Sequence, residues 1–203
     1  MKTLEIVGFN RQDTGKKHSK ALRNDSQVPC VLYGQKEPVH FSVPMILFRE
    51  LVYTPNVYQV ELNIEGAKSK AILQDIQFHP VSEVILHADF LALQDDKAVK
   101  MDIPLKFVGT APGMAAGGVL GVKLRKLTIK ALPKDFPDFV EVDISKLELG
   151  KSIKVGELPE ADYQVMNNAM ISMAVIKIPR ALRSAQSTTE EGEEAGEEAE
   201  AEA

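Results

Sequence analysis

The sequence of 203 residues has no tryptophan, a single cysteine and only 6% aromatic residues. Cys30 has no partner for an internal disulfide and cannot build a metal site alone, which favours a reducing compartment such as the cytoplasm. No stretch approaches the roughly 18 consecutive apolar residues of a membrane helix. The start, MKTLEIVGFNR, lacks the apolar region of a signal peptide. We therefore predict a soluble protein with no membrane partner.

Recognisable catalytic and phosphate-loop motifs are also missing. The chain has no nucleophile elbow, and the glycine-rich stretch 113–121 is not followed by Gly-Lys-Ser/Thr. His79, His87 and Asp89 could suggest a metal site or an acid–base pair, but no third ligand stands at a recognisable spacing. We predict no enzymatic activity, catalytic residue, metal, cofactor or small-molecule substrate.

Acidic charge is concentrated at one end of the chain. The net charge is −5, yet residues 181–203 alone hold eight acidic residues and one basic residue, so the rest of the chain is slightly basic. The last fourteen residues contain no large apolar side chain, and we expect 181–203 to be a disordered acidic tail. A solvating tail is the favoured interpretation. A mimic of RNA that covers a basic loop is the alternative.

The pattern of apolar residues and turn signals predicts a mainly β protein with two domains, residues 1–93 and 94–180, before the tail at 181–203. The first domain is predicted to be a small β-barrel or twisted sheet. Its strands are predicted at 4–9, 28–33, 39–43, 57–64, 70–78 and 83–93, with short helices at 20–24 and 44–53.

The second domain is predicted to be all-β, because glycine and proline punctuate its strand-like runs about every ten residues. Strands are predicted at 99–108, 120–131, 140–144, 152–155 and 170–178. The run GTAPGMAAGGVLG between the first two is too rich in glycine and alanine to form a stable element alone.

A basic segment, Arg11–Gly34, organises the first domain. Five cationic residues stand with one acid within thirteen positions: Arg11, Lys16, Lys17, Lys20 and Arg23, against Asp13. We expect Ser19 to cap a helix that begins at Lys20 and turns Lys20 and Arg23 to one side, with Arg23 exposed. An ordinary solvated loop is the plain alternative, and clustered cations that bind phosphates are the functional one.

Polar residues of later strands favour the functional alternative. If the first domain closes as a barrel, strand neighbours could bring Tyr33, Gln74, Gln77, His87 and Asp89 beside the basic segment. Such side chains address base edges, hydroxyls and ring faces, while lysine and arginine hold phosphates. The sequence therefore predicts an RNA-binding surface made of these five residues together with the five cationic residues of the basic segment.

Two motifs, RQDTGKKHSKALRNDSQVPCVLYG and LQDIQFHPVSEVILHADF, resemble the bacterial large-subunit ribosomal protein twenty-five family. The stretches APGMAAGGVL and LPKDFPDFVEVDISKLELGKSI and the acidic tail are similar to its longer form, the general stress protein CTC type. The resemblance covers nearly the whole chain. Lys20 stands where the family usually has arginine, so a bidentate phosphate grip is lost there.

This resemblance implies a cytoplasmic, ribosome-associated protein whose N-terminal β-barrel binds 5S rRNA at its loop E helix. It also implies that the C-terminal β domain is dispensable for that contact. The residues that it implies to be RNA-facing are Arg11, Lys16, Lys20, Arg23, Tyr33, Gln74, His87 and Asp89. A stress-linked module that binds proteins through the second domain is the alternative function.

Overall fold

The computed structural model describes residues 1–35, 37–159 and 163–179. The predicted acidic tail, 181–203, lies outside the described residues. The described chain is mainly β with a few short helices, which confirms the predicted fold class. No helix in these ranges is long and apolar enough to cross a membrane.

The first part of the chain forms a closed six-stranded barrel, as predicted. Around the barrel the strands follow the order β1-β3-β2-β6-β5-β4, and parallel pairing of β1 with β4 closes it. The pair β2–β6 is also parallel, and the remaining pairs are antiparallel. The elements are β1 Lys2–Asn10, α1 Lys16–Asn24, β2 Gln27–Tyr33, β3 Val39–Pro44, a 3-10 turn Met45–Leu47, α2 Phe48–Tyr53, β4 Tyr58–Ile64, β5 Ala67–Phe78 and β6 Ile85–Ala92.

Alternate strand residues fill the barrel interior. The rings of Phe41 and Phe90 lie 5.8 Å apart between centroids, and Phe48 from α2 lies 6.2 Å from Phe90. All three side chains are fully buried, and each such burial contributes about 1.5–3 kcal/mol relative to exposure. The helix predicted at 44–53 is instead a 3-10 turn followed by α2, and Ile46 of the 3-10 turn is 75% exposed.

Two further sheets follow the barrel, with strand orders β10-β7-β9-β12 and β11-β13-β8. Their elements are β7 Val99–Val108, α3 Pro112–Ala115, β8 Val119–Val122, β9 Lys126–Ala131, β10 Val140–Asp143, β11 Ser152–Lys154, a 3-10 turn Val155–Glu157, β12 Gln164–Val165 and β13 Ser172–Lys177. The single strand predicted at 120–131 is therefore wrong. It divides into β8 and β9 because the amides of Lys123 and Leu124 both donate to the carbonyl of Met173.

The glycine- and alanine-rich run contains a short helix, contrary to expectation. Pro112 stands in the first turn of α3, where its fixed φ suits a helix start. A Cβ on Gly113 would lie 2.6 Å from the backbone at Glu148 and Leu149, so the absent side chain permits this close packing. Tertiary contact, rather than local propensity, therefore supports the element.

Backbone contacts divide the described chain into two compact units. Among the described residues, the first combines 1–104 with 127–140 and 163–166, and the second contains 105–126, 141–159 and 167–179. These units interleave along the chain, so the division after residue 93 stays a prediction.

Candidate nucleic-acid interface

Helix α1 carries the lysines of the basic segment, and it is longer than the sequence predicted. It begins at Lys16 rather than Lys20, after an extended Gly15. Ser19 is not its cap, because its hydroxyl lies within the helix and accepts a hydrogen bond from Nη2 of Arg11 at 3.2 Å. The additional turn places Lys16 and Lys17 in the same helix as Lys20.

The helix has one face toward the barrel and one toward solvent. Ser19, Leu22 and Arg23 are partly buried where α1 contacts β2. The side chains of Lys16, Lys17 and Lys20 are exposed. At spacings of three and four residues, the first two lie next to Lys20 on the helix surface.

The N-terminal turn of α1 has no acidic residue. Backbone N–H groups at a helix N-terminus carry partial positive charge, which disfavours nearby cations and favours anions. Lys16 and Lys17 add two formal charges of the same sign there. A bound phosphate would neutralise both contributions, so this end of the helix has the electrostatics of an anion-binding surface.

Arg23 is partly buried, which corrects the expectation that it is exposed. Its Nε donates to the carbonyl oxygen of Leu86 at 3.0 Å. The register of β5 and β6 shifts here, since Gln77 is opposite His87 and Phe78 is opposite Ile85. Leu86 is therefore the extra residue of a β-bulge, whose carbonyl is free of the ladder and can accept the arginine.

Arg11 is also partly buried and bonded to the protein. Its amide donates to the carbonyl of His40 at 2.9 Å, and its Nη2 donates to Asp13 O at 3.1 Å as well as to the Ser19 hydroxyl. Its Nε is closed to solvent and has no hydrogen-bond partner among the described residues. Arg11 thus ties the end of β1 to α1.

Four polar side chains of β5 and β6 share the outer face of the barrel. Gln77 is opposite His87, and Asp75 is opposite Asp89. Ala88, between the two β6 residues, is fully buried in the barrel core, so its neighbours point outward. Directly opposed side chains lie about 4.5–5.5 Å apart at Cβ, which makes these two pairs one continuous polar surface.

His87 and Asp89 also contact each other along β6. Nδ1 of the imidazole lies 2.7 Å from Oδ1 of the carboxylate, and the side chains are 29% and 35% exposed. Oδ1 is closed to solvent and has no hydrogen-bond partner of satisfactory geometry among the described residues, so the two side chains are in close contact without a formed hydrogen bond. A donor from a ligand would satisfy this buried oxygen.

Tyr33 extends the polar surface onto β2. Burial, the charge of Asp89 and then the charge of Asp75 raise the pKa of its phenol. The hydroxyl consequently remains a hydrogen-bond donor close to two carboxylates. Gln74 is the exposed extra residue of a second bulge, because the β5–β6 register shifts between Leu73 and Asp75.

Sequence reasoning missed Asp75 as a site residue. It stands between Gln74 and Gln77 in the motif Gln-Asp-x-Gln, and it has the same strand parity as Gln77. That parity was a signal that could have found it. Its Oδ1 accepts the amide of Ile76 at 2.9 Å, which fixes one carboxylate oxygen and leaves the other for a ligand.

The two halves of the predicted site meet at β2 and β6. Arg23 joins α1 to β6 next to His87. Burial raises the pKa of the Cys30 thiol, the Asp89 carboxylate raises it further and the Arg11 guanidinium opposes the increase. Arg11 and Asp89 therefore act on the same part of β2, one from the basic segment and one from the late strands.

His79 does not join His87 and Asp89. Its Nδ1 accepts the amides of Val81 and Ser82 at 3.3 and 3.2 Å, which builds the turn between β5 and β6. Among the residues that the structure describes, no three His, Cys, Asp or Glu side chains are grouped to hold a metal ion.

Comparison with known proteins places this fold in a family. The Ribosomal L25p family pattern matches residues 6–90, and the pattern of the ribosomal protein TL5 C-terminal domain matches 98–180. The large ribosomal subunit protein bL25 of Cytophaga hutchinsonii is 51% identical over 90% of this chain and 95% of its own length. The protein of the same name from Amoebophilus asiaticus is 52% identical over 91% and 94%, and that of Porphyromonas gingivalis is 45% identical over 91% and 97%. The chain therefore belongs to the ribosomal L25p family, in the form that carries a TL5-type C-terminal domain.

Proposed function

We propose that this protein is a structural constituent of the large ribosomal subunit that binds 5S rRNA, in the loop E region, through its N-terminal barrel. It acts in the bacterial cytoplasm on the ribosome and catalyses no reaction. The observation that carries the proposal is the continuity between the exposed lysines of α1 and the outer face of β5 and β6, joined by the Arg23–Leu86 hydrogen bond. Family membership and the names of the relatives support the ribosomal partner.

Phosphate binding is assigned to Lys16, Lys17 and Lys20. Their exposed side chains and the N-terminal amides of α1 present positive charge to the RNA backbone. Contacts of this kind supply affinity and position the protein, but they carry no sequence information. Arg11 and Arg23 support the surface, because both already donate hydrogen bonds to the protein.

We assign recognition of the RNA groove to the two opposed polar pairs of β5 and β6, Gln77–His87 and Asp75–Asp89. Two carboxylates near a phosphate surface weaken binding unless each accepts a hydrogen bond, so Asp75 and Asp89 favour an RNA that presents base amino groups. Gln77 and His87 offer donors and acceptors in the adjacent row. The protonated Tyr33 contributes a further donor. This acidic centre gives the interface selectivity that lysines alone lack.

The proposed domain division, 1–93 and 94–180, is consistent with the family patterns, which leave residues 91–97 between them. In this proposal the barrel holds the RNA, and the second domain is not needed for the loop E contact.

The test is a filter-binding titration of the full chain against 5S rRNA at several salt concentrations. For the three assigned lysine contacts, log K should fall with log salt with a slope of roughly −3, and up to about −5 if Arg11 and Arg23 also neutralise phosphates. We expect the triple variant Lys16→Gln, Lys17→Gln, Lys20→Gln to bind more weakly, with a slope smaller by up to about 0.9 for each lysine. The matched control changes three exposed lysines of other elements: Lys130→Gln, Lys146→Gln and Lys151→Gln.

Equal losses in the two triple variants would mean that general charge, and not this surface, drives binding. A slope near zero for the unmodified protein would remove the electrostatic part of the proposal. Recovery of large subunits with the protein from cells should also be lost after ribonuclease treatment. Recovery that survives ribonuclease would favour a protein-interaction module instead.

A further inference from the structure

A cleft of about 460 Å³ opens beside Tyr33, at the edge of the proposed RNA surface. Its walls come from the end of β2, the bulge of β5, the end of β6 and residues 94 and 97–100; Asp95 and Asp96 do not line it. All of these residues belong to the same compact unit as the barrel. Among the residues that line the cleft are Tyr33, Gln74, Leu91, Lys97, Val99 and Lys100.

Hydrogen bonds hold the wall segment against the barrel. Nε2 of Gln94 donates to the carbonyl of Gly34 at 2.7 Å, and the amide of Leu93 donates to the carbonyl of Lys70 at 2.8 Å. Gly34 has a φ of +95°, and a Cβ there would lie 2.9 Å from Cδ1 of Leu91. A side chain at this position would displace Leu91, which lines the cleft, so the glycine permits the observed wall.

The lining has two chemical characters. Leu91, Val99 and the ring of Tyr33 supply apolar and aromatic surface, and the exposed Lys97 and Lys100 supply positive charge. The lining contains no acidic residue. A flat apolar group that carries an anion fits this combination, and the volume lies within the usual range for small-ligand sites, about 300–1,000 Å³.

The cleft is continuous with the interface already described, since Tyr33 and Gln74 belong to both. We propose that it receives one unpaired nucleotide of the bound RNA, with the base against Tyr33, Leu91 and Val99 and the phosphates near Lys97 and Lys100. The proposal rests on the RNA-binding function above. Base stacking on aromatic side chains needs no particular base, so the cleft contributes affinity beyond the duplex contacts and carries little sequence preference.

The test measures 5S rRNA affinity for full-length Ala98→Trp, in which an exposed lining residue becomes bulky enough to obstruct the cleft. We expect about a tenfold loss, comparable with the removal of one stacked base. Ala67→Trp adds the same ring at an exposed position of β5 beside the β4–β5 turn and should bind as the unmodified protein does. Circular dichroism and thermal melting of both variants establish that they fold.

A second variant addresses charge without adding bulk. Lys97→Gln with Lys100→Gln should reduce the salt slope by up to about 0.7 for each contact with single-stranded phosphate. This measurement also tests the proposal if Ala98→Trp does not fold.

Unchanged affinity and salt slope in the cleft variants, with weakened binding in the α1 triple lysine variant, would overturn the cleft and leave the proposed function intact. Unchanged RNA binding in the cleft variants and in the α1 triple lysine variant would overturn both the cleft proposal and the proposed function. Equal losses in Ala98→Trp and Ala67→Trp would also overturn the cleft. A further outcome would overturn the proposed RNA nucleotide in the cleft. If the unmodified protein binds adenosine 5′-monophosphate in the cleft while Ala98→Trp binds 5S rRNA normally, the occupant is a free nucleotide.

Discussion

Nε of Arg23 donates to the carbonyl oxygen of Leu86 at 3.0 Å and joins α1 to a bulge of β6. The bond has two consequences. It fixes the helix that carries the exposed lysines. It also gives the Leu86 carbonyl, which has no partner in the strand ladder, a hydrogen bond from a charged donor. Arg23 is therefore a structural residue of the proposed surface.

Replacement of this arginine should cost stability. We expect Arg23→Ala to lower the free energy of unfolding by about 1.5–3 kcal/mol, the net range for a hydrogen bond to a charged group. Chemical denaturation followed by circular dichroism measures the change. Lys20→Ala, which alters an exposed side chain of the same helix, should stay within about 0.5 kcal/mol. Similar stability in both variants would contradict a structural role for Arg23.

The His87–Asp89 pair should act as one unit in RNA binding. We expect His87→Ala or Asp89→Ala alone to weaken 5S rRNA binding by about 1–3 kcal/mol, because each removes a polar group of the proposed RNA surface. The double variant should lose less than the sum, since the contact at 2.7 Å couples the two groups. A double-mutant cycle by filter binding measures the coupling.

Glu5→Gln is the matched control for that cycle. Glu5 is an exposed carboxylate on β1, which lies three strands from β6 in either direction around the barrel. It should bind RNA as the unmodified protein does. Additive losses at His87 and Asp89 would mean that the two side chains act independently.

The titration of Tyr33 should depend on its two acidic neighbours. Burial and the charges of Asp89 and Asp75 raise its pKa, so we expect its phenol to ionise above the ordinary value of about 10. Asp89→Asn removes a negative charge and should move the pKa down. A pH titration of the Tyr33 ring by NMR measures both values, and an unchanged pKa would place Asp89 out of electrostatic reach.

The sign of the accompanying stability change follows from linkage. Because the folded pKa is raised, the unfolded chain loses this proton first as the pH increases. The contribution of Tyr33 to stability is therefore present below the unfolded pKa and disappears as the pH rises through the folded value. Asp89→Asn should reduce that alkaline loss.

Gly8 should tolerate no side chain. A Cβ there would lie 2.7 Å from Cδ2 of Phe41, a fully buried ring in the barrel core. We expect Gly8→Ala to be destabilising by about 1–3 kcal/mol, more than the 0.5–1 kcal/mol that alanine gains over glycine in a strand. Val7→Thr, on the exposed outer face, should change little. Denaturant unfolding of both variants gives the comparison.

The sequence was sufficient for the barrel, because period-two alternation and turn signals mark its strands directly. It also named ten candidate residues, whose role in RNA binding stays a prediction; the structure places Gln77, His87 and Asp89 of this set on one outer face of the barrel. It did not reveal that α1 begins at Lys16, because Ser19 matched a cap preference while its hydroxyl is held by Arg11 from another element. Arg23 was assigned to solvent because the carbonyl that binds it is created by a bulge 63 residues away.

The second part of the chain was harder to predict for a related reason. The division between β8 and β9 depends on one carbonyl, that of Met173, far along the sequence. Helix α3 depends on a glycine that fits against a distant backbone. The local sequence pattern shows neither fact. The spacing of Asp75 and Gln77, which places both on the same face of β5, was visible in the sequence and was not used.

The strand order of the barrel has a consequence for biosynthesis. β6 joins β2 to β5, and it is the last barrel strand to leave the ribosome. A nascent chain that ends before Ile85 has two open strand edges and lacks His87, Asp89 and the carbonyl that holds Arg23. The groups assigned to the RNA groove in the proposed function thus arrive with the strand that closes the barrel. The selectivity proposed for this surface is therefore acquired only when the barrel is complete.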